Sequence, residues 1–301
     1  MQRELQYKIR LAKKYRVLYL FMLPFALLFI LFTVLPVVIS IVLSFTYFNI
    51  LEAPRFIGLT NYFKLFFHDD IFIKAVSNTL MFAAITGPLS YLLCLLLAWI
   101  INDLPRYLRM LMTLFFYAPS ISGGMFMIWS VLFSGDAYGY VNGFLMKFGM
   151  IAAPIQWLKD PKYINTVVII AVLWMSLGAG FLSFIAGFQS VDKQYFEAAA
   201  IDGIKNRWQE FWFVTLPMMK PQMLFSAVMS ITASFGIGDL ITGLVGFPSV
   251  NYQAHTIMHH LTDYGNIRFE MGYASAIATL LFLLMIGSNL IVKKLLSKVG
   301  N

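Results

Sequence analysis

Apolar residues in this chain gather in long unbroken runs, not in the alternating or one-sided patterns of a water-soluble fold. Six runs can be drawn, at about 17–45, 75–101, 108–133, 163–188, 218–238 and 271–292. Each reaches the ~20 residues needed to cross a hydrocarbon core of about 30 Å. Backbone polar groups left unpaired in lipid are costly, so the runs predict helices. Barrel strands would show short alternating segments, and the sequence has none. The expected fold class is therefore all-α and integral to the membrane, with six transmembrane helices.

Prolines punctuate the runs. Pro24 and Pro36 lie in the first, Gly87-Pro88 in the second and Pro119 in the third, while Pro217 precedes the fifth. A proline inside a helix frees a carbonyl and favours a kink. Lipid tolerates this only where a neighbouring helix or a wet cavity satisfies the backbone. The loops at 46–74, 134–162 and 239–270 have room for short helices and a partner surface, but not for an independent domain.

Composition and charge sharpen this picture. The chain is 60% hydrophobic and 12% charged, against about a quarter charged in soluble domains. Its net charge of +8 would suggest nucleic acid in a soluble protein, but here the basic residues sit at the ends of apolar runs. Arg3, Lys8, Arg10, Lys13, Lys14, Arg16, Arg106, Arg109, Lys193, Lys205, Arg207, Lys220, Lys293, Lys294 and Lys298 fall on one side. Arg55, Lys64, Lys74, Lys147, Lys159, Lys162 and Arg268 fall on the other. The richer side is expected to be cytoplasmic, which places both termini and the 189–217 loop there. The first run is too long for a signal-peptide core and no small-x-small pattern closes it, so it is expected to be retained. Cys94 is the single cysteine. It excludes an intramolecular disulfide and is expected to act as a small buried hydrophobe.

The chemistry that is missing narrows function further. No GxxxxGK[ST] loop is present, so the chain is not expected to bind ATP itself. There is no HExxH; His255, His259 and His260 have no acidic neighbour at a metal-binding spacing and are expected to form a packed or solvated cluster. Ser176 and Ser183 are not in a GxSxG context. No catalytic residue and no metal site is therefore expected. The apolar runs are nearly free of ionisable residues, with Asp239 at an outer helix end as the nearest exception. Ion-coupled carriers use intramembrane carboxylates or histidines as relays, so energy for transport is expected to come from outside the chain.

Between the fourth and fifth runs lies a polar island, 190–221. A short helix is expected to about Asp202, with Gly203 in the left-handed conformation that ends a helix. A second helix is expected from Asn206, with Gln209 completing a weak capping box. Two readings remain open. The island is either a docking surface for a soluble partner or an interfacial helix held on lipid by Lys205, Arg207, Trp208 and Trp212.

The run Glu197-Ala198-Ala199-x-x-Asp202-Gly203 … Leu216-Pro217 resembles the EAA motif of permease subunits of bacterial ATP-binding-cassette importers. Four further stretches resemble the sugar-importing, maltose-transporter-like branch: Phe56-Ile57-Gly58-Leu59-x-Asn61-Tyr62, Asn78-Thr79, Leu132-Phe133-Ser134-Gly135-Asp136-x-Tyr138-Gly139 and Pro154-Ile155-x-Trp157-Leu158. The resemblance implies the type I importer permease fold, with residues 1–70 holding the basic N-terminus, first helix and first outside loop, 71–292 the permease core with its coupling loop at 190–221, and 293–301 a cytoplasmic tail. It implies that Glu197, Ala198, Ala199, Asp202, Gly203, Leu216 and Pro217 engage a cytoplasmic ATPase dimer. That ATPase, not this chain, would bind ATP and magnesium. It also implies a second homologous permease subunit, an extracytoplasmic sugar-binding protein and residence in a bacterial cytoplasmic membrane.

The chain departs from the family pattern in two places. The stretch from Gly203 to Pro217 is one residue longer than the common spacing, to be absorbed by rotating the second helix or by a local bulge. A Thr-x-Gly-Gly-Pro-like run is replaced by Thr242-Gly243-Leu244-Val245-Gly246-Phe247-Pro248. Aromatic faces and hydrogen-bonding side chains hold sugars, so Asn78, Tyr117, Ser120, Trp129, Trp174 and Asp239 are the candidate path residues. The rival functions are an ion-coupled sugar carrier, a membrane enzyme of lipid or cell-wall chemistry, and an importer of the same architecture for another solute class.

Overall fold

A computed structural model describes residues 14–296; Arg3, Lys8, Arg10 and Lys13 of the basic N-terminus, and 297–301 of the tail with Lys298, lie outside the described residues. The first apolar run forms α1, Arg16–Leu43. A π turn at Ile30–Val34 precedes Leu35-Pro36 and accommodates the N–H that proline lacks. β1 (Thr46–Tyr47) and β2 (Arg55–Phe56) pair antiparallel, and α2 (Thr60–Phe67) follows. The long α3, Asp70–Asn102, runs 33 residues straight through Pro88, capped by Asp69 accepting from the Phe72 N–H.

The next three runs are not single helices. The third divides into α4 (Arg106–Ile121) and α5 (Phe126–Leu132), bent by 87°. After α6 (Tyr140–Lys147), the fourth divides into α7 (Pro161–Met175) and α8 (Ala179–Ser190), bent by 41°. The island forms α9 (Lys193–Ile201) and α10 (Arg207–Glu210). The fifth run divides into α11 (Lys220–Phe235) and α12 (Gly238–Val245), bent by 44°. A short α13 (Ile257–Thr262) precedes α14 (Met271–Leu296). Among the described residues, α1, α3 and α14 alone cross as unbroken helices, and counting each bent pair as one span gives six.

The expected proline kinks are thus corrected. Pro88 leaves its helix whole, and only Pro119 stands near a break. The chain turns instead at Ser122-Gly123-Gly124, at Gly178 and at Gly236, because glycine gives up least when helical geometry is abandoned.

Packing centres on α3, which lies against α8 and α11. Near its C-terminal end Cys94, Phe181, Phe184, Phe188, Phe211 and Met219 form one core; near its start Leu65, Phe72, Phe235, Ile257 and Ile277 form another. Cys94 is fully buried, as expected of a small hydrophobe. α8 approaches α11 through glycines: a methyl on Gly180 would lie 2.7 Å from Ser226 Oγ, and one on Gly187 2.6 Å from Met219 Cε. Small residues at such contacts let membrane helices pack closely where no hydrophobic drive separates helix from lipid.

Candidate functional site

The island folds as an L of two helices. Asp192 caps α9, its carboxylate accepting from the Gln194 N–H at 3.1 Å. The far end closes with two bonds, Ile204 N–H to Ala199 O at 3.0 Å and Gly203 N–H to Ala200 O at 3.3 Å, and with Gly203 at φ +94°. This is the Schellman geometry, which a residue with a side chain resists. Asn206 caps α10, accepting from the Gln209 N–H at 2.9 Å. Gln209 reciprocates one residue early, accepting from the Lys205 N–H.

A π turn, Phe211–Thr215, follows directly and leads into Leu216-Pro217. A π turn holds one residue more than an α turn. The extra residue before Pro217 is therefore taken up as a bulge, the second of the two expected alternatives.

The two faces of the L differ. Glu197, Ala198, Asp202 and Pro217 are exposed, while Ala199 and Leu216 are buried. Tyr195, Ile201, Trp212 and Phe213 are also exposed, Ile201 at 88%. On the inner face Phe211 is buried against Phe188 and Trp99, the Trp99 ring centroid 4.9 Å away. Arg207 and Trp208, which the lipid reading assigned to headgroups, are exposed but also touch the end of α3. Arg207 pairs with Asp103 and lies over Trp99 at 5.3 Å, and Trp208 packs on Trp99 at 5.2 Å.

A second feature sits where the helices break. A cavity of about 290 Å³ is walled largely by apolar side chains such as Val172, Met175, Met229 and Leu240, with the hydroxyls of Thr86, Ser90, Ser120, Ser176, Ser230 and Ser234 set among them. Its polar groups are hydroxyls and peptide groups, without an acid or a base, and its size is at the low end of the ~300–1,000 Å³ of small-molecule sites. Of the candidate path residues the structure brings Ser120 here. Tyr117, on the same helix, lines a neighbouring cavity of about 640 Å³ with Arg106, Arg109 and Gln189. Trp129 and Trp174 meet edge to face at 5.6 Å. Asp239 is exposed in the first turn of α12. Asn78 is placed elsewhere, its amide spent on Tyr252 O at 3.1 Å and His255 O at 2.9 Å.

Asn78 belongs to a set of loop anchors on the face away from the island. Thr79 Oγ1 accepts from the Ile257 N–H. Asn61 donates to Ser44 O and Thr46 O, both at 2.9 Å. The fully buried Asn142 donates to carbonyls of Ser134, Asp136 and Ile155 and accepts from Trp157 Nε1 at 2.8 Å. The motifs that suggested the sugar-importing branch are thus joints that hold loops to helices.

The histidines join this set as a packed, buried cluster, one of the two arrangements expected, with an acid that sequence spacing did not reveal. Asp69, distant in sequence, accepts from His260 Nε2 at 3.0 Å and from the Tyr273 hydroxyl at 2.8 Å. Burial works against the Asp69 charge, but hydrogen bonds from His260, the Phe72 N–H and Tyr273 hold its carboxyl well below the usual range. Burial pushes His255 down to about 3, helped by repulsion from its histidine neighbours, and His259 down to about 4. Among the described residues no group of three or more His, Cys, Asp and Glu is arranged to hold a metal ion.

Comparison with known proteins yields one family and a consistent set of relatives. The family of binding-protein-dependent transport system inner membrane components matches residues 90–301. The lactose transport system permease protein LacF of Rhizobium radiobacter is 33% identical over 188 residues, covering 62% of this chain and 61% of that protein. The probable ABC transporter permease protein YesP of Bacillus subtilis is 32% identical over 249 residues, covering 81% of this chain and 78% of that protein. The arabinooligosaccharides transport system permease protein AraP of the same organism is 29% identical over 280 residues, covering 92% and 87%. A chain of a bacterial alginate ABC transporter, solved with an alginate pentasaccharide-bound periplasmic protein, superposes over 97% of this chain and 98% of its own length. Its TM-score is 0.78 at 22% identity, which establishes the fold.

Proposed function

This chain belongs to the family of binding-protein-dependent transport system inner membrane components, and on that premise we propose that it forms half of the translocation path of an ATP-driven importer of sugars or oligosaccharides. It is a multi-pass membrane permease and not an enzyme. The observation that carries the proposal is the exposed face of the L at 197–217. Glu197 stands out from a helix whose neighbouring alanines allow close approach, and Gly203 fixes the bend that presents it.

The partners follow from this reading. A cytoplasmic ATPase dimer binds the exposed face, a basic group on it meeting Glu197, with Asp202, Leu216 and Pro217 shaping the contact. ATP and magnesium belong to that dimer. A second, homologous permease completes the path, and an extracytoplasmic binding protein delivers sugar to the loops anchored by Asn78 and Asn142. Both termini lie in the cytoplasm, and 71–292 forms the permease core. Closure of the ATPase pair moves the L, and the helix breaks around the Ser120 cavity are where rigid segments change angle. A mostly apolar lining whose polar groups are hydroxyls, without an acid or a base, suits a neutral solute, in keeping with the sugars named for LacF and AraP.

The test is uptake and copurification of the ATPase in Glu197→Ala and Gly203→Asp variants. Both are expected to lower uptake by about tenfold or more: Glu197→Ala because removing one partner of a desolvated ion pair costs ~2–5 kcal/mol, and Gly203→Asp because a side chain strains the left-handed bend at φ +94°. The reading fails if both variants take up sugar and hold the ATPase as the native chain does.

A further inference from the structure

The second helix of the L is fastened to α3 by an ion pair that neither helix needs for itself. Asp103 is the residue at the C-terminal end of α3, where exposed carbonyls disfavour negative charge. Arg207 opens α10, where free N–H groups disfavour positive charge. Each charge sits at the wrong pole of its own helix, and the two meet each other. Arg207 is held in place from below by the Trp99 ring, 5.3 Å away in the last turn of α3, and Trp99 in turn contacts Trp208 and Phe211. The pair is 55% and 38% exposed, a setting in which ion pairs add little to stability. Next to Asp103, Asn102 accepts from Arg109 Nη1 of α4 at 3.4 Å. The same end of α3 is therefore tied to α10 on one side and to α4 on the other.

We propose that Asp103 and Arg207 are positioning residues that form a latch, through which displacement of the L moves α3 and α4. Those helices carry Thr86, Ser90 and Ser120 into the cavity at the helix breaks, so the latch connects ATPase motion to the path. The inference rests on the reading of 197–217 as the ATPase-facing element.

The test uses the full transporter, with its ATPase, second permease and binding protein, in proteoliposomes, and reads substrate moved per ATP hydrolysed. Asp103→Arg and Arg207→Asp are each expected to lower that ratio at least about threefold, the scale of couplings carried by a packed network, with copurification of the ATPase retained. The double exchange, Asp103→Arg with Arg207→Asp, restores at least half of the lost ratio. Asp103→Asn, neutral and of the same shape, lowers the ratio without lowering the melting temperature, and serves if the reversals do not fold. An unchanged ratio in Asp103→Asn, or a double exchange no better than the single ones, overturns the latch. Glu197→Ala and Gly203→Asp, run in parallel, separate the two claims: loss of copurification there beside normal ratios in the latch variants sinks the latch alone, whereas native uptake and full copurification in both sink the reading beneath it.

Discussion

At the scale of single residues, the side chains that organise this protein are small polar ones buried for structural reasons. Asn142 is the clearest case. It is fully buried and bridges Ser134, Asp136, Ile155 and Trp157. Asn142→Ala would strand several buried polar groups at ~1–3 kcal/mol each, so the purified protein in detergent is expected to melt several degrees lower. Sequence did not single out this residue, because an asparagine between apolar runs looks the same whether it faces water or three carbonyls. Asn78 shows the converse. It was legible as important, but its amide is consumed by Tyr252 and His255 and so is not free to hold a sugar. Glu197 and Gly203 were legible down to their conformations, because a Schellman end is written locally, in a few residues that bond to one another.

At the scale of elements, hydropathy located every span, but not its breaks. Lipid demands only that a run be apolar and its backbone paired, and a broken helix meets that demand when packed neighbours cover the gap. Pro88 and Gly178 therefore could not be ranked from sequence: the proline is absorbed and the glycine turns the chain. The π turn at Phe211–Thr215 carries its own prediction. Because it stores the extra residue, deleting the exposed Phe213 is expected to convert it to an α turn, leaving α10 and Leu216-Pro217 in register. Uptake and ATPase copurification should stay within about twofold of the native level, which is under 0.5 kcal/mol. Deleting Lys205, between Gly203 and the Asn206 cap, should abolish both, since no slack exists there.

At the scale of the whole molecule, the loops remote from the island are locked to the helix ends through a buried cluster. Asp69, His255, His259, His260, Tyr264 and Tyr273 face one another there, with Asp239 close to His259. His255 and His259 titrate far below their ordinary 6.5 in the folded protein. Between pH 6.5 and about 4 the unfolded chain therefore binds more protons than the folded one. Stability is fully present at neutral pH and is lost as pH falls, by at most about 1.4 kcal/mol per histidine per pH unit. The Asp69 contribution is present above its ordinary 3.8 and is lost only in stronger acid. Melting temperature in detergent is expected to drop between pH 7 and pH 5, and His259→Gln, which keeps an acceptor for the Thr256 N–H, should flatten that dependence. Sequence by itself determined the membrane fold, the number of apolar runs and the L with its exposed Glu197, because burial in lipid and helix capping act on neighbouring residues. Only the tertiary structure decided where the spans break, which hydroxyls share a cavity, that Asp69 serves the histidines and that Asp103 holds Arg207. Each of those depends on residues far apart in the chain being carried to one place by the packing around α3.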